Sequence, residues 1–167
     1  MVMLSELNQM NQAAFTTELG AIFEETPAIA HATWAYRPFE DVDQLHQAMV
    51  DVMRSLSPDE QLELIRAHPD LGSRAKMADA SVEEQTSVGL DQLTPEEYDD
   101  IQSLNDVYKE RFEMPFIIAV KRHTKASIFS EFRQRLTHSP EQEVRQALDE
   151  IAVIAKFRLT AQVESAE

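Results

Sequence analysis

His68 is the residue whose neighbours best place it to move a proton. It stands in the run His68-Pro69-Asp70-Leu71-Gly72. A proline disfavours helical backbone in the residue before it, so His68 is expected where a helix gives way to a loop. The preceding helix is expected to include Gln61 to Ala67, and the negative end of its dipole favours the imidazolium form. Two readings fit these facts. The ring is a proton donor, or it hydrogen-bonds the last carbonyls of its own helix. Asp70, two residues on, is placed to hold the ring or to cap the loop.

Two other patterns carry polar groups that need explaining. Ser81-Val82-Glu83-Glu84-Gln85 has the spacing of a capping box, Ser81 with Glu84 three residues later, which marks a helix start. The same surface offers N–H groups, a carboxylate and the Gln85 amide, a set that suits an amide-like or urea-like ligand. Arg158 falls on an apolar stripe made by Val144, Leu148, Ile151, Ala155 and Gln162. A guanidinium on such a face needs a partner, since leaving one buried and unpaired costs several kcal/mol. An internal carboxylate, an anionic ligand held bidentately, or an outward-reaching side chain near a helix end would each answer.

Other constellations are set aside. His31, His46, His123 and His138 lack the spacing of a metal-binding helix, so no metal is expected. There is no cysteine, which removes thiolate chemistry, and no G-x-S-x-G elbow. The methionines and Phe15, Phe23, Trp34 and Phe39 read as core. Glu24-Glu25, Glu83-Glu84 and Glu96-Glu97 read as solvated helix starts or faces.

The elements that must carry these groups are helices. Ser57-Pro58-Asp59-Glu60, Thr94-Pro95-Glu96-Glu97 and Ser139-Pro140-Glu141-Gln142 each place a capping hydroxyl, then proline, then Glu or Gln three residues after the cap. Helical periodicity follows each start, with one helix ending before Pro69 and another before Pro115. Earlier helices are expected over about Asn11 to Glu24 and Val42 to Leu56. The apolar run Phe116-Ile117-Ile118-Ala119-Val120 follows a proline and has no partner strand in the sequence. It reads as the start of a buried helix or as an extended core segment. The expectation is an all-α, single-domain bundle over residues 1–167, with about seven to nine helices.

Composition narrows the partners. The formal net charge of the 167 residues is -15, so nucleic acid and anionic lipid are not expected partners. Only 3 glycines are present, which argues against a glycine-rich phosphate loop. No apolar stretch approaches the ~20 residues that cross a bilayer. Met1 to Met10 carries no basic segment followed by an apolar run, so a cytoplasmic protein is expected.

Taken in order, these segments resemble the 2-oxo-4-hydroxy-4-carboxy-5-ureidoimidazoline (OHCU) decarboxylases. His68-Pro69-Asp70-Leu71 resembles that family's H-P-D-L core. Ser81 to Gln85, followed by Gly89-Leu90, resembles its S-x-x-E-Q and G-L. Leu104-Asn105, Tyr108, Arg111-Phe112 and Pro115-Phe116-Ile117 resemble its L-N-x-x-Y-x-x-[KR]-F-x-x-P-F-[IV] stretch. Ala147-Leu148, Glu150-Ile151 and Arg158-Leu159 resemble its last helix, and Phe23-Glu24, Pro27 and Arg37-Pro38-Phe39 also fit. The resemblance spans nearly the whole chain. It departs at Lys121-Arg122-His123, where relatives often have glycine, and at Ala28 after Pro27, where some relatives carry tryptophan.

The resemblance implies an all-α, cofactor-free decarboxylase, often a homodimer, that converts OHCU to (S)-allantoin and CO2 in urate breakdown. It implies His68 as catalytic acid, with Glu84 and Arg158 at active-site positions. It implies substrate contacts at Pro69, at Ser81, Val82, Glu83, Glu84 and Gln85, and at Phe116, Ile117, Ile118, Ala119 and Val120. Under this reading Glu84 accepts ureido N–H groups, and Arg158 pairs with Glu84 or touches the substrate. The competing reading is a non-catalytic acidic helical module that binds a partner protein or a ureide. In that case His68 is a helix cap, and Glu84 and Arg158 form a structural pair.

Overall fold

A computed structural model describes residues 1–72 and 79–165, with the side chains of residues 79–81 outside the description. The described residues form nine α-helices: α1 (Leu4–Gln9), α2 (Gln12–Leu19), α3 (Pro27–Thr33), α4 (Val42–Ser55), α5 (Pro58–Arg66), α6 (Asp79–Ser87), α7 (Pro95–Phe112), α8 (Lys125–Arg135) and α9 (Pro140–Gln162). The all-α expectation holds. One small addition is a pair of two-residue parallel strands, β1 (Val2–Met3) and β2 (Val163–Glu164), with Val2 opposite Val163. Segments this short carry no readable alternation in sequence.

The helix starts follow their capping chemistry. Ser57 with Glu60, and Thr94 with Glu97, form complete capping boxes behind proline. Ser139 Oγ accepts from Gln142 N–H, and Gln142 Oε1 accepts from Ser139 N–H. Thr124 and Ser127 form a further box at α8. Ser81 differs from the expectation. Its backbone is helical within α6, so it is not the cap residue of that helix, which would have non-helical backbone. Its side chain lies outside the described residues. The helix expected to run to Glu24 stops at Leu19. Gly20 follows, a poor helix former, and Glu25 takes a left-handed φ of 46° ahead of Pro27. Ile22 and Phe23 are still buried, through a turn rather than a helical face.

The chain divides into two compact units: residues 1–67 with 152–167, and residues 68–151. In the first, α3 packs against both α2 and α4. Phe15, Leu19, Ile29, Leu45, Met49 and Met53 are fully buried there, and Phe15 stacks with Phe39. In the second, Ile101, Tyr108 and Phe112 give α7 its buried side, facing α8 with Ile128 and Phe132. Phe116 stacks on Phe132 at 3.8 Å with only 7° between the ring planes, and Tyr108 meets both rings edge-on. Each buried aromatic contributes roughly 1.5–3 kcal/mol. This cluster therefore anchors one end of the Phe116–Val120 run.

Candidate active site

His68 is buried just beyond α5, whose last turn is closed by Ala67 N–H bonding Glu63 O and Leu64 O. The loop that follows is held at three successive residues within the second unit. Asp70 accepts from Lys109 Nζ of α7 at 2.9 Å, across a partly exposed pair. Leu71 O accepts from Asn105 Nδ2 of α7 at 2.9 Å. Gly72 N–H donates to Gln85 Oε1 of α6 at 3.0 Å. The two inner bonds are buried and matter more than the outer ion pair, since exposed pairs contribute only about 0–1 kcal/mol. Gly72 is required here: its φ is +67°, and a Cβ would lie 3.2 Å from Ile101 and 3.3 Å from Leu93. Asp70 thus fixes the loop through Lys109.

α6 presents unevenly the four predicted contact residues whose side chains are described. Glu84 and Gln85 are buried, while Val82 and Glu83 face solvent. Gln85 belongs to the scaffold of the histidine loop as well as to the predicted ligand surface. The short 3-10 turn Val120–Arg122 packs against α6, which brings the end of the Phe116–Val120 run to the helix carrying Glu84.

Phe116 to Val120 are all buried, and residues 116–119 adopt no regular structure. Of the two readings open from sequence, the helix start is not observed at residues 116–119, which form an irregular core segment. Its backbone groups must find partners elsewhere. Ala119 N–H donates to Glu150 Oε1 at 3.1 Å, and Ile117 O accepts from Arg135 Nη1. Among the described residues, Ile118 N–H and C=O take part in no hydrogen bond. At Lys121-Arg122-His123 the backbone closes the 3-10 turn, Arg122 N–H bonding Ala119 O and His123 N–H bonding Val120 O.

Arg158 lies in the first unit and is buried, as its stripe predicted. Its guanidinium forms an ion pair with Glu24 at 3.2 Å and donates to Ile22 O at 3.3 Å. Glu24 is therefore not a solvated helix-face residue. Its place in an acidic pair hid a buried carboxylate.

The largest polar group that sequence reasoning missed surrounds Glu143. This fully buried carboxylate accepts from Tyr108 OH at 2.6 Å, Arg135 Nε at 2.9 Å and His138 Nδ1 at 2.9 Å. Burial, reinforced by the bond to Glu143, raises the Tyr108 phenol far above the ordinary tyrosine range, so it remains a donor. Arg135 is also fully buried, and its guanidinium lies over the Phe116 ring at 4.3 Å. Nothing in the spacing of α8 marks Arg135, since a basic residue in a last helical turn is ordinary.

The described residues thus combine a helical fold with a buried histidine in a clamped loop and a buried irregular segment. The OHCU decarboxylase family profile matches residues 8–160. Two OHCU decarboxylases are similar along most of their length. The chain is 44% identical to that of Halalkalicoccus jeotgali over 93% of this chain and 89% of the relative. It is 41% identical to that of Haloferax volcanii over 97% and 96%. A crystal structure of (S)-allantoin synthase superposes with a TM-score of 0.79 at 30% identity, covering 97% of this chain and 54% of that one. The chain belongs to the OHCU decarboxylase family.

Proposed function

We propose that this protein decarboxylates OHCU to (S)-allantoin and CO2, with His68 as the proton donor. The substrate carries a carboxylate on a ring carbon that also bears a hydroxyl, next to an imine carbon bearing the ureido group. When the bond to CO2 breaks, its electron pair moves into the ring and the imine nitrogen takes a proton. The enol that results becomes the ring carbonyl once a proton reaches the ureido-bearing carbon and the hydroxyl gives up its own, so that one proton is consumed overall. The ring is its own electron sink, and the protein's part is to hold one conformer and protonate one face. In this proposal His68 delivers that proton and Glu84 accepts ureido N–H groups. Pro69, the α6 residues from Ser81 to Gln85 and the backbone of Phe116 to Val120 bind the ring and ureide. Arg158, steadied by Glu24, keeps the active-site role that the resemblance implies.

The observation that carries the reading is the buried His68 in a loop whose backbone is fixed at Leu71 and Gly72. General-acid catalysis contributes about 10²–10⁴-fold, and the rest must come from positioning, which such a clamp supplies. Among the described residues no helix is long and apolar enough to cross a membrane. We place the protein in the cytoplasm as a homodimer, the latter checked by light scattering. For the activity, OHCU is generated enzymatically from urate and followed by optical activity with and without the protein. Rapid accumulation of a single allantoin enantiomer is expected; slow racemic decay in both samples would overturn the assignment.

A further inference from the structure

We propose that Arg135 and Glu150 are positioning residues that hold the Phe116–Ala119 backbone in its binding shape; this inference rests on the reading that this segment contacts the substrate. The segment is buried yet outside any helix or strand, so its conformation has no ladder of backbone bonds to maintain it. Two charged side chains supply the missing bonds. Arg135 grips the segment twice, through its Nη1 on Ile117 O and its planar face over Phe116. Glu150 grips it through Ala119 N–H at 3.1 Å, with Gln146 Nε2 on its other oxygen at 3.2 Å. The two grips fall on either side of Ile118, whose N–H and C=O, like those of Phe116, take no hydrogen bond among the described residues. One donor and one acceptor on a single residue complement the N–H and C=O of a ring amide or ureide.

The energetics favour a positioning role over a purely stabilising one. Arg135 and Glu143 are both fully buried. A buried ion pair replaced by well-packed apolar residues is often neutral or stabilising, so its presence calls for a geometric reason. Glu143 has all three of its donors arranged about two oxygens, which fixes the guanidinium in the orientation that reaches Ile117. Arg135 Nη2 is buried with no partner among the described residues. The guanidinium is therefore placed for Glu143, Ile117 and Phe116 rather than for its own full hydrogen bonding.

The test compares Glu150→Gln, Glu150→Ala and Arg135→Lys in the full-length protein. Far-UV circular dichroism and Tm verify folding, and steady-state kinetics on OHCU give KM and kcat separately. Gln keeps an acceptor for Ala119 N–H, so Glu150→Gln is expected to retain a near wild-type KM. Glu150→Ala deletes the acceptor and is expected to raise KM by about tenfold, with a smaller change in kcat. Arg135→Lys keeps the charge beside Glu143 but loses the fork that also reaches Ile117, and a raised KM is expected there too. Arg135→Lys carries the test if Glu150→Ala does not fold. A folded Glu150→Ala or Arg135→Lys protein with wild-type KM overturns the inference, as does a Glu150→Gln protein as impaired as the alanine variant. If the wild type itself yields only racemic allantoin, the proposed function fails and this inference fails with it. An active wild type beside unaffected variants sinks the inference alone.

Discussion

Asn105 gives the sharpest test of how the histidine loop is held. Replacing it with alanine removes the 2.9 Å bond from Nδ2 to Leu71 O, at a residue only 2% exposed. The Leu71 carbonyl, on a buried residue, then loses that donor, and an orphaned buried acceptor costs roughly 1–3 kcal/mol. The substitution also removes Asn105 Oδ1, a buried acceptor with no partner among the described residues, which offsets part of that cost. A net loss of about 1–2 kcal/mol follows, corresponding to a fall in Tm of about 2–8 °C for a chain of this size. Activity should suffer more than stability. His68 lies three residues before Leu71, and a displacement of about 1 Å in a catalytic group can cost about 10²-fold in rate. Thermal melts and steady-state kinetics on the same preparation separate the two effects. A variant with wild-type kcat/KM, whatever its Tm, would refute the idea that Asn105 positions the catalytic loop.

Other expectations follow from single contacts. Gly72→Ala forces a side chain into a left-handed residue and against Ile101, and denaturant melts should show a loss of at least about 1–2 kcal/mol. Glu24→Ala removes an anionic partner from the buried Arg158 guanidinium, and urea titration should record a loss of about 2 kcal/mol, with Glu24→Gln milder. The Thr94 backbone bond, then Lys125, hold the half-buried Glu97 carboxyl below its usual 4.5. A folded value below the unfolded one means that this contribution is present above about pH 4.5 and lost as pH falls through the folded value. Glu97→Gln should therefore flatten the acid side of the Tm–pH curve relative to the wild type.

The helical scaffold was largely legible because its punctuation is local. Ser57, Thr94 and Ser139 announce their helices through residues three apart, and the structure uses all three as caps. Pro69 likewise marks where α5 ends. The burial of Arg158 was readable from periodicity, because a stripe records which face turns inward. Its pairing with Glu24 was not, since the two residues are 134 positions apart and nothing local connects them. The same limit hid Glu143, Arg135 and Glu150. Each looks like an ordinary charged helix residue until the fold brings Arg135 and Glu150 to the irregular Phe116–Ala119 backbone and Glu143 to Arg135. Ser81 shows the converse: a spacing correct for a cap occurs inside a helix, because one motif cannot say where the first turn begins.

In the proposed reaction His68 supplies the proton that makes the product a single enantiomer. The direct measurement is the enantiomeric excess and rate of allantoin formation from enzymatically generated OHCU, comparing wild type with His68→Asn at matched folded concentration. Rapid formation of (S)-allantoin by the wild type and slow formation of racemic product with the variant are expected. A folded His68→Asn protein that forms (S)-allantoin at the wild-type rate would contradict it.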